Sequence, residues 1–498
     1  MNRGLRIGLI VVVLALAYPA AAWVIGLTVQ RQMLQREQFA LAQVPYVVVV
    51  NRDYRRGIYS STEELTLDLG RSFAKGLQTA AGQDLSKQAQ VIIRLHIHHG
   101  PLPQLRAFAP ATMDTEIALS PETQQKLVAL IGDQAHLTIQ TQMHWLGGST
   151  TVIHSTAFKS KGPNEVTFEW HGLDGKGELA REVGAGTTEF TAPGFSLTSS
   201  KGTLAMEDFK VRTDTHQAFD SFAVGKFDFS VGHMASETTT PPFKLDARNL
   251  GFEGNSSVNG EFLNTDITAS LGSVELPNFS GTELVWETRL DHLHGPTLVA
   301  LSNQLKAIQA EQLRTPIPSG PDDTAAQQAQ AQIAQKYQAA VQTYGIPLIG
   351  HEPVIDFPRI GFKTPDGDLM LSVKLEFPGI TPADVAGDPK TLALVVIPKF
   401  LQATVNARID STLLDKLLQQ SMADSDKSDQ AKARIQQLQD HGYIKVDGKA
   451  LTTQILFMGG QVRINGLPFN PAAFQPPQPQ LPPPAKAPPP RTPRRIPH

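Results

Sequence analysis

Three hydrophobic patterns succeed one another along the chain. Ile7 to Leu27 reads IGLIVVVLALAYPAAAWVIGL without a charge. As a helix it rises about 32 Å at ~1.5 Å per residue, which matches a hydrocarbon core of about 30 Å. From there to about residue 295, apolar and polar positions alternate with period two, the pattern of strands with one buried face. Leu137, Ile139, Met143 and Trp145 share a parity with Thr141, against His136, Thr138, Gln140, Gln142 and His144. Val91, Ile93, Leu95 and Ile97 repeat the design against Ile92, Arg94, His96 and His98. So do Leu65, Leu67 and Leu69; Val166, Phe168 and Trp170; Phe227, Phe229 and Val231; and Ile267, Ala269 and Leu271. Turn signals such as His99-Gly100-Pro101, Leu146-Gly147-Gly148 and Asp174-Gly175 separate them, so the run predicts a large antiparallel sheet.

Near Pro296 the period becomes helical. Leu301, Leu305, Ile308 and Leu313 form one stripe, and Ile333, Tyr337, Val341 and Tyr344 a second. A helical hairpin over 296–346 with a turn at Pro316 to Pro321 is expected. Strands return with Leu369, Leu371, Val373, Leu375 and Phe377, then Val405, Ala407 and Ile409. Ser411 to Met422 reads as a capped helix carrying Leu413, Leu414, Leu417 and Leu418. Ala450 to Ile464 reads as a hairpin turning at Gly459-Gly460. From Gln475, 11 of 24 residues are proline, a composition that favours polyproline II and offers little to bury. The fold class is therefore mainly β with α insertions (α+β): a single transmembrane helix, then an elongated, curved antiparallel sheet body. Residues 1–6 precede the span (7–27); 28–44 form a membrane-proximal linker, 45–295 a β-rich region, 347–470 a second β/α region and 471–498 a basic, disordered tail.

The rival reading of the first segment is a cleaved signal peptide, for which Ala20-Ala21-Ala22 offers a site. A signal's apolar stretch is about 7–15 residues. Here Trp23, Val24, Ile25 and Leu27 continue the run, so an uncleaved anchor is expected. Arg3 and Arg6 with the terminal amine outweigh Arg31 and Arg36, which keeps the N-terminus cytoplasmic. The chain has no cysteine, which excludes disulfides and thiolate metal sites and suits an oxidising compartment. The expected location is the bacterial inner membrane, single pass, with the bulk periplasmic. With 44 basic and 47 acidic residues the net charge is −3; no whole-chain basic field points to nucleic acid.

Candidate chemistry is sparse. His96 and His98 share a strand face about 7 Å apart, yet two imidazoles without a third ligand at a characteristic spacing do not make a site. His351-Glu352 lacks the second histidine of H-E-x-x-H, because position 355 is Ile. Gly175-Lys176-Gly177 lacks the third glycine of a dinucleotide loop. Asp424, Asp426 and Asp429 lack the glycine and terminal glutamate of a calcium loop and read as a solvated interhelical linker. No catalytic, cofactor or metal residues are assigned, and the chain is read as a non-enzyme. Tyr54-Arg55-Arg56-Gly57-Ile58-Tyr59-Ser60-Ser61 could meet anionic headgroups through its arginines; a turn with packed tyrosines is the favoured role.

That element resembles the Y-x-R-G-aromatic-aromatic-S-S motif of the YdgA-like family, bacterial envelope proteins classed as a domain of unknown function. Ile97-His98-His99-Gly100-Pro101-Leu102 is similar to its I-x-H-G-P-L, Trp170-His171-Gly172-Leu173-Asp174-Gly175 to its W-x-G-L-x-G, and Gln461 to Pro468, with Asn465 and Gly466, to its G-x-L-x-V-N-G-x-P. Ile58 departs from the motif. The resemblance singles out Tyr54, Arg56, Gly57, Tyr59, Ser60, His99, Gly100, Pro101, Trp170, Gly172, Asn465 and Gly466. It implies an inner-membrane anchor and a β-rich periplasmic body, and brings no catalytic residues. The leading expectation is a self-associating envelope scaffold or binding protein; the alternative is lipid binding or transfer in a β-groove fed from the membrane. Both read the same parity, and only a cover over the apolar face separates them. Expected partners are inner-membrane lipids, a second copy, and an anionic lipid or envelope protein for the tail through Lys486, Arg491, Arg494 and Arg495.

Overall fold

The computed structural model describes residues 3–44, 47–68, 90–119, 136–162, 165–219, 222–239, 241–314, 324–388, 391–421 and 425–470, with isolated positions from 121 to 128; the side chains of 3–16, 313–314 and 420–428 are not among those described. Leu69, Asp424, the Pro316 to Pro321 turn and the tail from Gln475 lie outside the described residues.

The apolar run opens helix α1 (Arg3–Gln43). Residues 28–43, expected as linker, continue the same helix, because Gln30 to Gln43 offer good helix formers and no breaker. The strands then pair in near-sequential order: β1 (Val48–Arg56), β2 (Ser60–Asp68), β3 (Gln90–His99), β4 (Ala111–Leu119), β5 (Leu137–Met143) and β6 (Ser149–Ser155). The hairpin β7 (Phe158–Lys161) and β8 (Thr167–Trp170) stands aside, and β9 (Leu173–Leu179) returns beside β6. Strand β10 (Gly186–Ser199) takes β9 along its first half and β8 along its second. A meander follows through β11 (Gly202–Phe219), β12 (Phe222–Thr239), β13 (Pro242–Asn259), β14 (Phe262–Leu276) and β15 (Phe279–His294). It continues through β16 (Val354–Thr364), β17 (Gly367–Glu376) and β18 (Gln402–Asp410). Next to β18 lies β20 (Ala450–Met458), which carries β19 (Lys445–Asp447) and β21 (Gln461–Ile464) on its far side, with β22 (Leu467–Pro468) last. Every pairing is antiparallel, and none joins β1 to β19–β22, so among the described residues the sheet is open.

Helices α2 (Gly295–Arg314) and α3 (Thr324–Ala340) form the expected hairpin, with Ile308, Ile333 and Ala340 buried between them. Val341 falls off the expected stripe and is 52% exposed; the helical period puts Ala340 in line with Ile333 and Tyr337 instead. Helices α4 (Ser411–Ser421) and α5 (Ser425–Asp440) precede β19. Asp426 and Asp429, expected in a linker, lie inside α5.

Strands β11 to β13 have 18 residues each, about 60 Å at ~3.3 Å per residue and roughly three times a usual strand. One face is charged: Arg212 meets Glu189 at 2.7 Å and Arg289 meets Asp266 at 2.8 Å. The other carries cross-strand apolar rows, among them Phe190–Val211–Phe229–Phe252–Ala269–Trp286. A second row, Ala192–Phe209–Val231–Leu250–Leu271–Leu284, is followed by Phe195–Met206–Met234–Ala247–Val274 three residues on instead of two. A one-residue shift turns a strand's apolar set to the other face. Left-handed residues take up the shift at Asp208 (φ 55°), Asn249 (φ 54°) and Glu283 (φ 51°). Opposite Asp208 and Asn249 stand Gly232 and Gly272, where a Cβ would lie 2.8 Å and 3.0 Å from the facing Cβ atoms. The result is a crease across the sheet with apolar rows on both sides.

Trp145 does not follow the parity of β5. Gly147 (φ 91°) and Gly148 (φ 86°) begin a turn, the strand stops at Met143, and Trp145 is 43% exposed with its ring 5.3 Å from that of Phe108. Trp170 is half-buried, its Nε1–H donating to Ser155 Oγ at 3.0 Å.

Candidate functional site

Of the expected span Ile7 to Leu27, the side chains of 7–16 lie outside the described residues. Among the described residues no helix is long and apolar enough to cross a membrane. From Tyr18 onward, one stripe of α1 faces protein. The Tyr18 hydroxyl donates to the Leu102 carbonyl at 2.9 Å, Ala22 is fully buried, and Val29 packs with Ile97, Ala111 and Met143. Met33 joins that cluster, and Arg36 donates to Ala180 O at 2.8 Å and Ser149 Oγ at 3.3 Å. Steps of four, four, three, four and three along 18, 22, 26, 29, 33 and 36 are those of one helix face. As far as Leu27 the run is uniformly apolar, and there that face cannot be picked out by period.

His99 centres the seat. Its ring is 1% exposed; Nδ1 lies 3.0 Å from the Ala22 carbonyl and Nε2 3.1 Å from Ser61 Oγ. A carbonyl only accepts, so Nδ1 carries the proton and the Ser61 hydroxyl donates to Nε2. Gly26 lets the ring reach the helix backbone: a Cβ there would lie 2.8 Å from His99 Cε1. Gly100 (φ 135°) does the same for Ala22, 3.3 Å from a would-be Cβ. Tyr59 places its ring 5.9 Å from that of Tyr18, and its carbonyl accepts the His99 N–H at 2.9 Å. Arg56 sits over the Trp23 ring at 5.0 Å, while Gly57 N–H closes the turn on Ser60 O at 2.8 Å. Tyr54 packs on the Val29–Ile97 cluster. Thus Tyr54, Arg56, Gly57, Tyr59, Ser60, His99, Gly100 and Pro101 gather at one place, a collar on α1. Trp170 and Gly172 (φ 98°) instead pack around Ser155. Asn465 (φ 51°) and Gly466 make a distant turn, with Asn465 Nδ2 donating to Gly442 O at 3.1 Å.

A Ser–His pair at this distance suits acyl transfer in an open cleft, but Ser61 is 2% exposed and both groups lie under the helix, so their role is to hold it. His96 is exposed and His98 half-buried; among the described residues no three His, Cys, Asp or Glu are grouped to hold a metal.

Below the collar, Arg52 bridges Glu63 (2.7 Å) and Glu37. Glu63 is 3% exposed, whereas Arg52 and Glu37 are partly open to solvent, so α1, β1 and β2 share an ion cluster that is buried at its Glu63 end. Two cavities follow along the helix. One of about 260 Å³ is bordered by Met33, Leu65, Leu95 and Met143. The next, of about 400 Å³, lies between Phe39 and Ala40 of α1 and Thr188, Thr213 and Phe222 of the sheet. Arg36 and Leu179 border both.

Burial lowers the pKa of His99 against its hydrogen bonds to backbone. His351 is also lowered, by burial and then by His294, stacked on it at 3.9 Å, and His292, with Glu261 opposing. A histidine lowered in the fold binds fewer protons there than in the unfolded chain, so its stability is present above about pH 6.5 and lost as pH falls below that. Melting temperature should therefore drop between pH 7.5 and pH 5, and His351→Gln should flatten that drop; an unchanged slope would exclude His351.

A family profile described as "Bacterial protein of unknown function (DUF945)" matches residues 1–472. No curated protein and no solved structure matches the chain.

Proposed function

The chain belongs to the DUF945 family of bacterial proteins of unknown function, and from that premise we propose that it binds the apolar chains of lipids along the uncovered face of its sheet. The observation that carries this reading is partial exposure: on the apolar face Phe227 is 38%, Phe252 39% and Trp286 50% exposed, while Ala192, Val231 and Val274 beside them are buried. A second layer would have covered rows of this length, since burying such side chains stabilises by about 1.5–3 kcal/mol each. The backbone groups of these strands are already paired within the sheet, so the face offers an occupant dispersion and apolar contact but few hydrogen bonds. Acyl chains ask for nothing more. On the ground of these exposed aromatics we rank lipid binding ahead of scaffolding, the reverse of the order expected above.

In the same reading the N-terminal apolar run, Ile7 to Leu27, holds the protein at the inner membrane with its body periplasmic, a placement that the YdgA-like grouping fits. Substituting Phe227, Phe252 and Trp286 by serine should cost about 1–2 kcal/mol each, because the sites are only partly buried; a filled core would lose about 3–5. Lipid extracted from the purified full chain should fall several-fold in the triple variant. If the parent carries no lipid, or if the variant instead abolishes a dimer, the face serves self-association.

A further inference from the structure

Polarity along β10 and β11 is graded. Beside α1 the paired positions are Gly186–Thr215 and Thr188–Thr213; moving away they become Phe190–Val211 and Ala192–Phe209. The threonine end forms the floor of the 400 Å³ cavity, and Arg36 stands on its wall. That volume falls within the range of about 300–1,000 Å³ of small-molecule sites. Among the described residues no carboxylate lies within ion-pair distance of Arg36; its guanidinium donates to Ser149 Oγ and the Ala180 carbonyl. Five donors leave some unused by two acceptors. Nearby acids are otherwise placed: Glu37 pairs with Arg52, and Glu182 is an exposed rim residue. A cation with hydroxyls at one end of a groove and aromatic rows at the other matches a molecule with the same gradient.

We infer that the cavity under α1 is the head-group end of the groove: Arg36 takes the acidic group of an anionic single-chain amphiphile, a carboxylate or phosphate, while the chain runs over Phe190, Val211 and Phe229. This rests on the lipid-binding reading and specifies its ligand. Guanidinium pairs with planar or tetrahedral oxyanions through parallel N–H···O bonds, which a lysine does not reproduce. Most of the selectivity therefore belongs to the arginine fork, and the chain length sets the affinity.

The test titrates the full chain, released from neutral detergent, with oleate, oleyl alcohol and inorganic phosphate and counts bound molecules by native mass spectrometry. Oleate should bind at least tenfold more tightly than oleyl alcohol, and phosphate alone should be far weaker than oleate. Arg36→Gln should bring oleate down to the alcohol's level without changing the alcohol, and Arg36→Lys should keep part of the preference. Should Arg36→Gln fail to fold, the oleate-to-alcohol ratio of the unaltered chain still decides. Equal binding of both, or a preference that survives Arg36→Gln, overturns the inference and leaves the groove standing. Phosphate competing as well as oleate also overturns it, because the chain then contributes nothing. Binding of neither oleate nor alcohol removes the groove reading itself.

Discussion

Replacing Arg52 by methionine should destabilise the protein by about 3 kcal/mol or more. The reason is Glu63: its carboxylate is 3% exposed, and Arg52 is the cation that meets it, at 2.7 Å. Removing one partner of a buried pair leaves the other charged, desolvated and uncompensated, a loss of about 3–5 kcal/mol. Arg52 is itself 29% exposed, so water can enter beside Glu63, and the lower end of the range is expected. The pair as such contributes little, since its attraction offsets its desolvation. Accordingly Arg52→Met with Glu63→Leu should recover most of the single variant's loss. Urea unfolding followed by the β signal in circular dichroism would measure all three. A single variant within about 0.5 kcal/mol of the parent would show that Glu63 is solvated and that the cluster does not hold α1 to β1 and β2.

Gly26→Leu should detach α1 from the sheet. A Cβ at this position meets the His99 ring at 2.8 Å, and that ring has nowhere to go: it is 1% exposed and bound at both nitrogens. The helix must move, which exposes Ala22, Val29 and Met33 and takes the Ala22 carbonyl away from His99 Nδ1–H, a donor costing about 1–3 kcal/mol if it stays buried without a partner. Limited proteolysis should then cut within residues 28–43 while the β signal of the meander persists. His99→Ala should also loosen the helix by removing both hydrogen bonds and leaving a cavity. Combined with Gly26→Leu it should recover part of the loss, since the leucine fills the vacated space; contacting sites are non-additive in this way. Protection of residues 28–43 equal to the parent in Gly26→Leu would show that the helix seats elsewhere.

Much of the sheet was legible in the sequence because a strand's period is local. Phe227, Phe229 and Val231, or Ile267, Ala269 and Leu271, declare their shared face without reference to any partner, and the Gly459-Gly460 hairpin follows from turn chemistry. The hairpin of α2 and α3 was legible for the same reason, through Leu305, Ile308, Ile333 and Tyr337. The crease left a trace too, in the three-residue steps from Phe209 to Met206 and from Val231 to Met234, but such a step reads as noise until the neighbouring strands are aligned and all of them show it. Trp145 was misplaced because parity was extended two residues past Met143, where the strand ends ahead of the Gly147-Gly148 turn.

The candidate site was only half legible. Tyr54 to Ser61 and His99 to Pro101 stood out as motifs, yet nothing in their spacing says that they meet, or that what they meet is the apolar run itself. Ala22, Gly26 and Arg36 were hidden for opposite reasons: the first two lie within residues all apolar alike, and Arg36 looked like an ordinary charge beyond a span. The sequence by itself determined the elements, their faces and their turns, since these depend on side-chain periods of two and 3.6 and on glycine and proline. The tertiary structure alone decided which face of α1 is held by protein and that the apolar face of β10–β15 leaves Phe227, Phe252 and Trp286 exposed while it buries Ala192, Val231 and Val274. Period reports the direction in which a side chain points; what stands opposite depends on contacts between residues as far apart as Ala22 and His99, and no local pattern encodes them.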